Sequence, residues 1–69
     1  MNQKNKFSTE EKYRKGLEFI KNKKYGSADQ IFQGILDNYP NHTQSLFLLG
    51  ISLYEQKKIN EALKYFIKA

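Results

Sequence analysis

Two stretches decide the reading: TEEKYRKGLEFIKNKKYGSADQIFQGI, residues 9–35, and TQSLFLLGISLYEQKKINEALKYFIKA, residues 43–69. At an offset of 34 residues they agree where a helix pair is shaped. Gly16 falls on Gly50, Ala28 on Ala62 and Phe32 on Phe66, while Tyr13 meets Phe47, Leu17 meets Ile51, Phe19 meets Leu53 and Tyr25 meets Ile59. Only six of the 27 pairs are identical, so the weight lies in residue type. Small residues recur where helices must touch, and large apolar ones where a core must be filled. A fixed period in this range marks stacked helical units, which work as binding surfaces more often than as catalysts.

Working outward, Ser8-Thr9-Glu10-Glu11 fits a capping box, in which Ser8 and Glu11 satisfy each other's backbone amides. A first helix is expected from about Thr9 to Asn22, with Tyr13, Gly16, Leu17, Phe19 and Ile20 at helical spacing. Lys23-Lys24-Tyr25-Gly26 turns the chain into a second helix, Ser27 to Asn38, carrying Ala28, Ile31, Phe32, Ile35 and Leu36. Gly34 lies inside that helix at a cost of up to ~1 kcal/mol against alanine and is read as tolerated rather than as a close contact. Tyr39-Pro40 ends the helix, because the residue before proline is pushed out of the helical region. Asn41 with Gln44 forms a second candidate capping box before a third helix reaching about Gln56. Asn60 is the expected N-cap of a fourth helix, with Glu61 at its positive end. Nowhere do apolar and polar residues alternate between turn signals, so the expected fold is all-α.

Composition bounds what such a chain can be. Sixty-nine residues make one small domain, burying roughly 60% of its unfolded surface. Without cysteine there is neither a disulfide framework nor a thiolate metal site. The basic start, Met1-Asn2-Gln3-Lys4-Asn5-Lys6, is followed by no apolar run, and no stretch approaches the ~18 apolar residues of a membrane span. The expected location is therefore cytoplasmic, with no membrane association. Twelve basic and seven acidic side chains leave a formal charge of +5, which favours acidic partners without naming one.

These residues resemble two tetratricopeptide repeats, helix–turn–helix units of 34 residues. With Thr9 opening the first unit, Gly16, Phe19, Tyr25, Ala28, Phe32 and Pro40 take the family's small, aromatic and helix-ending positions. The second unit meets the pattern through Leu46, Leu49, Gly50, Leu53, Ala62, Phe66 and Ala69. The resemblance implies a short helical solenoid of four helices: a leader at 1–8, a first repeat at 9–42 and a truncated second repeat at 43–69. It also implies close helix approach at Gly16 opposite Ala28 and Gly50 opposite Ala62, with Phe32 and Phe66 filling the wedge beside them. Lys12 and Lys15 depart from the pattern, standing where the second unit has Leu46 and Leu49. A polar outer face on the first unit of a stack accounts for them.

In this family the first helix of each unit lines a concave groove. By resemblance the partner-binding groove here is Tyr13, Leu17, Ile20 and Lys21 with Phe47, Ile51 and Tyr54, flanked by Glu10, Gln44 and Glu55. Its centre is apolar and aromatic, unlike the branch that grips the C-terminal carboxylate of heat-shock chaperones with lysines and asparagines. An amphipathic helix or peptide of a protein partner suits it, its anchors spaced i, i+3, i+4 and i+7. The alternative is a self-associating scaffold. There Tyr65, Phe66 and Ile67, crowded at the unfinished end, meet another copy of the chain to form a homo-oligomer.

Other chemistry finds little support. Lys21, Lys23, Lys24, Lys57 and Lys58 would form a basic rim, with Tyr25 available to stack on a base. Yet Tyr25 sits at a packing position and turn lysines are ordinarily solvated, so nucleic acid is disfavoured. His42, the single histidine, fits a capping or surface role better than metal or proton-transfer chemistry. Glu10-Glu11 serve the cap, and Asp29, Asp37 and Glu61 read as scattered surface charges. No glycine-rich phosphate loop occurs, and Ser8, Ser27, Ser45 and Ser52 lack a base at any recognised spacing. No catalytic residue, metal or cofactor is expected.

Overall fold

The computed structural model describes residues 8–69, so the expected leader lies outside them apart from Ser8. Ser8 starts the first helix as its side chain dictates. The Glu11 amide donates to Ser8 Oγ at 3.1 Å, and the Ser8 amide donates to Glu11 Oε1 at 3.0 Å. Both halves of the capping box are thus formed. Four helices follow: α1 (Thr9–Lys21), α2 (Tyr25–Asn38), α3 (Thr43–Glu55) and α4 (Ile59–Lys68). Neighbours pack in chain order, α1 on α2, α2 on α3 and α3 on α4, and α1 also touches α3. Among the described residues there is no strand, and the all-α expectation holds.

The helix starts differ from expectation at three places, for local reasons. Helix α2 begins at Tyr25, two residues before Ser27, because a Schellman turn closes α1 directly onto it. The Lys24 amide donates to the Phe19 carbonyl at 2.8 Å and the Lys23 amide to the Ile20 carbonyl at 2.9 Å. The turn between α3 and α4 repeats this arrangement. The Lys58 amide donates to Leu53 and the Lys57 amide to Tyr54, both at 2.9 Å. Lys23 (φ 61°) and Lys57 (φ 69°) hold the left-handed position that glycine ordinarily takes. Helix α4 accordingly starts at Ile59, with Lys58 at its cap, and Asn60 is inside the helix rather than capping it.

At α3 the cap is His42, not Asn41 with Gln44. The Ser45 amide donates to His42 Nδ1 at 3.2 Å, which realises the capping role open to the lone histidine.

The core lies where the two hairpins meet. Helix α2 supplies Ala28, Phe32, Ile35 and Leu36, α3 supplies Leu46, Leu49 and Leu53, and α4 supplies Ala62. Full burial of side chains such as Ile35 or Leu49 is worth about 1.5–3 kcal/mol each, so the inter-hairpin seam is a main source of stability. On α1 only Gly16 is buried. Lys12 is half-buried and Lys15 exposed, so the outer face of α1 is polar, as the departure from the repeat pattern implied.

Candidate functional site

The tight approach within each hairpin is made by glycine and phenylalanine. A Cβ on Gly16 would lie 2.5 Å from Phe32 Cζ, and one on Gly50 would lie 2.6 Å from Phe66 Cε1. The sequence reading paired these glycines with Ala28 and Ala62. The atoms nearest to such a Cβ belong to the ring of the residue one helical turn further on, the phenylalanine expected beside that contact. Each glycine is a notch into which an aromatic ring of the following helix is pressed, and Ala28 and Ala62 are buried alongside. Gly34 has nothing within 4 Å of an added Cβ, so it is tolerated rather than required.

These notches set the stripe on α1 and α3. Tyr13 stands edge-on to Phe32 with ring centroids 6.2 Å apart, and its ring centroid is also 6.1 Å from that of His42. In the second hairpin Phe47 lies 5.8 Å from Phe66. Leu17 and Ile20 follow Tyr13 at helical spacing, and Ile51 and Tyr54 follow Phe47. Tyr13, Leu17, Ile20 and Ile51 are half-buried, and Lys21 is exposed. Phe47 is 50% exposed and Tyr54 54% exposed, so the apolar stripe is most open to solvent on α3.

The seam between hairpins also carries polar side chains. Ser45 and Ser52 are fully buried. Ser52 Oγ donates to the Tyr25 carbonyl at 3.3 Å, while Ser45 Oγ is buried with no hydrogen-bond partner. Gln56 Nε2 donates to Asp29 Oδ2 at 2.7 Å, tying α3 to α2. Asp29 is therefore a half-buried seam residue and not the scattered surface charge its position in the sequence implied. Gln33 Nε2 donates to the Tyr65 hydroxyl at 3.0 Å, reaching from α2 to α4.

On α4 the three residues taken as the unfinished end separate. Tyr65 and Phe66 are half-buried, Phe66 being held by Gly50 and Phe47, and Ile67 is 81% exposed. Two further residues, outside the set of three, join Ile67 at four-residue spacing: Leu63, 50% exposed, and Ile59, 43% exposed. That spacing was the available signal.

The lysines of both turns, Lys21, Lys23, Lys24, Lys57 and Lys58, are exposed. Two shallow depressions lie away from the aromatic stripe. One of about 250 Å³ is lined by Glu11, Arg14, Lys15 and Glu18, and one of about 350 Å³ by Glu61, Lys64, Tyr65 and Lys68. Among the described residues no group of three or more His, Cys, Asp or Glu side chains is arranged to hold a metal ion. No helix among them is long and apolar enough to cross a membrane.

The family model for the tetratricopeptide repeat matches residues 12–42 and 44–69. No curated protein and no solved structure matches the chain.

Proposed function

The chain belongs to the tetratricopeptide repeat family, whose members generally mediate protein–protein interaction and are not enzymes, and from that premise we propose that it holds a peptide or amphipathic helix of a partner protein on the stripe of α1 and α3. The residues assigned are Tyr13, Leu17, Ile20 and Lys21 with Phe47, Ile51 and Tyr54. The observation that carries this is the half-exposure of Phe47 and Tyr54, two aromatic side chains on one helix face. Aromatic side chains left partly in water are the usual anchors of recognition, since they bring large contact area at small entropic cost. A panel of amphipathic helical peptides, titrated while backbone amide shifts are followed, tests the assignment. Shifts gather on α1 and α3 and vanish in Phe47→Glu, whose helical circular dichroism is unchanged. Binding that survives Phe47→Glu assigns the partner to another surface.

A second reading has its own support: the chain acts as a scaffold that associates with itself through α4. The exposure of Ile67, Leu63 and Ile59 favours it, because an apolar face of this kind seeks cover. Sedimentation across a range of concentrations decides it, a well-folded monomer throughout being the contrary result.

A further inference from the structure

Resting on the reading of the α1 and α3 stripe as a peptide site, we propose the chemistry of its partner. The segment held there carries apolar anchors along the stripe and a run of carboxylates at the end that lies over Ile20 and Tyr54. The two lysine turns receive that run. They stand at one end of the body, as two bonds across the seam show. Ser52 Oγ donates to the carbonyl of Tyr25, the residue after Lys23-Lys24. Gln56, which precedes Lys57-Lys58, donates to Asp29 one turn further along α2. The stripe runs into the same end, since Ile20 and Tyr54 lie in the last turns of α1 and α3 and Lys21 is exposed beside them. Its other end differs in charge. There Tyr13 lies beside His42, the α2–α3 connection at 39–42 contains no lysine or arginine, and Glu10 and Glu11 open α1.

Charge complementarity identifies the occupant. Among the described residues no carboxylate pairs with Lys21, Lys23, Lys24, Lys57 or Lys58. The acidic residues closest in the chain are mostly engaged elsewhere. Asp29 accepts from Gln56, Glu18 lines a depression with Arg14 and Lys15, and Glu61 lines another with Lys64 and Lys68. Glu55 remains against five ammonium groups. Helix stability does not call for this charge. Lys24 and Lys58 are the N-caps of α2 and α4, where they make no capping hydrogen bond and add positive charge to the positive pole of each helix. Residues that break a local rule without local return point to function. A nucleic acid would meet the lysines and stack on Tyr54, but it would leave Leu17, Ile20 and Ile51 without apolar cover. A peptide with apolar anchors covers them. Exposed charge pairs add little affinity; they set orientation, encounter rate and salt dependence. The carboxylate run therefore decides which way round the partner lies.

Three amphipathic helical peptides with the same apolar anchors test this. One ends in about four glutamates, one ends in as many glutamines, and in the third the glutamates are moved to the other end. Both glutamate peptides should bind at least about tenfold more tightly than the glutamine peptide at about 0.05 M salt, an advantage that shrinks at about 0.5 M. A nitroxide at the glutamate end should broaden the amides of residues 21–24 and 56–58, whichever end of the peptide carries it. Lys24→Glu with Lys58→Glu should erase the glutamate advantage and leave the glutamine peptide's binding unchanged. Lys24→Gln with Lys58→Gln reads the same difference should the double reversal disturb the helical signal. Glutamate and glutamine peptides that bind equally, and are both lost in Phe47→Glu, leave the stripe reading standing and overturn this one. If no peptide binds in a Phe47-dependent way, both fall. Oligouridylate held through Lys24 and Lys58 more tightly than the glutamate peptides makes the rim a nucleic-acid site and overturns the proposal.

Discussion

Alanine at Gly16 and at Gly50 makes the same chemical change at repeat-equivalent sites, yet the consequences should differ. In a helix interior, alanine is favoured over glycine by about 1 kcal/mol. Against that gain stands overlap: the new methyl would lie 2.5 Å from Phe32 Cζ in one hairpin and 2.6 Å from Phe66 Cε1 in the other. Overpacking a filled core costs about 1–3 kcal/mol. Phe32 has no exposed surface and Tyr13 stands edge-on to it, so its ring has nowhere to retreat. Gly16→Ala should therefore lose about 1 kcal/mol net, once the helix gain is subtracted. Phe66 is half-buried and open on one side, so its ring can swing outward, and Gly50→Ala should fall close to neutral. Gly34→Ala, with nothing within 4 Å, isolates the helix gain and should stabilise by up to ~1 kcal/mol. Thermal unfolding followed at the helical circular-dichroism band reads the series, since 1 kcal/mol moves the midpoint about 4–8 °C in a domain of this size. In a Phe32→Leu background the Gly16→Ala penalty should shrink, because the two sites share one contact. Equal shifts for Gly16→Ala and Gly50→Ala would refute the account, as would stabilisation of Gly16→Ala to the level of Gly34→Ala.

Two further pairs of substitutions probe the seam and the turns by urea denaturation. Ser45 Oγ is buried without a partner whereas Ser52 Oγ donates to Tyr25, so Ser45→Ala should raise stability by about 0.5–1 kcal/mol and Ser52→Ala lower it by about 0.5–1.5 kcal/mol. Equal effects of the two would remove the distinction. Lys23→Gly and Lys57→Gly relieve a left-handed backbone at φ 61° and 69°, and each should raise the unfolding midpoint by the equivalent of about 0.5–1 kcal/mol. A drop in the midpoint would mean that the lysine side chains contribute more than the backbone costs.

Much of the candidate stripe was legible beforehand because its spacing is local. Tyr13, Leu17 and Ile20, and Phe47, Ile51 and Tyr54, recur at helical intervals, and the repeat aligns the two sets. Their exposures were not legible, since Tyr13 is covered partly by Phe32 and His42, residues far away in the chain. Leu63 is an apolar residue of the fourth helix that the set Tyr65, Phe66 and Ile67 left out, because those three form a run that spans several faces of one helix. Asp29 misled for the opposite reason: a charge in a helix reads as solvated until a partner, here Gln56, crosses from another hairpin.

Taken alone, the sequence determined four helices in two like hairpins, the capping box at Ser8 and the small–large register of the repeat. Each of these follows from interactions a few residues long, or from a period that can be counted. Tertiary structure decided what the glycines touch, which serines are buried and which face of α4 stays open. It did so because packing partners are chosen by ring shape and available space across hairpins, quantities that no helical period contains. The lysine Schellman turns lie between the two. Their hydrogen bonds are local, but lysine carries no left-handed preference, and each turn is held because the two helices of its own hairpin pack on each other.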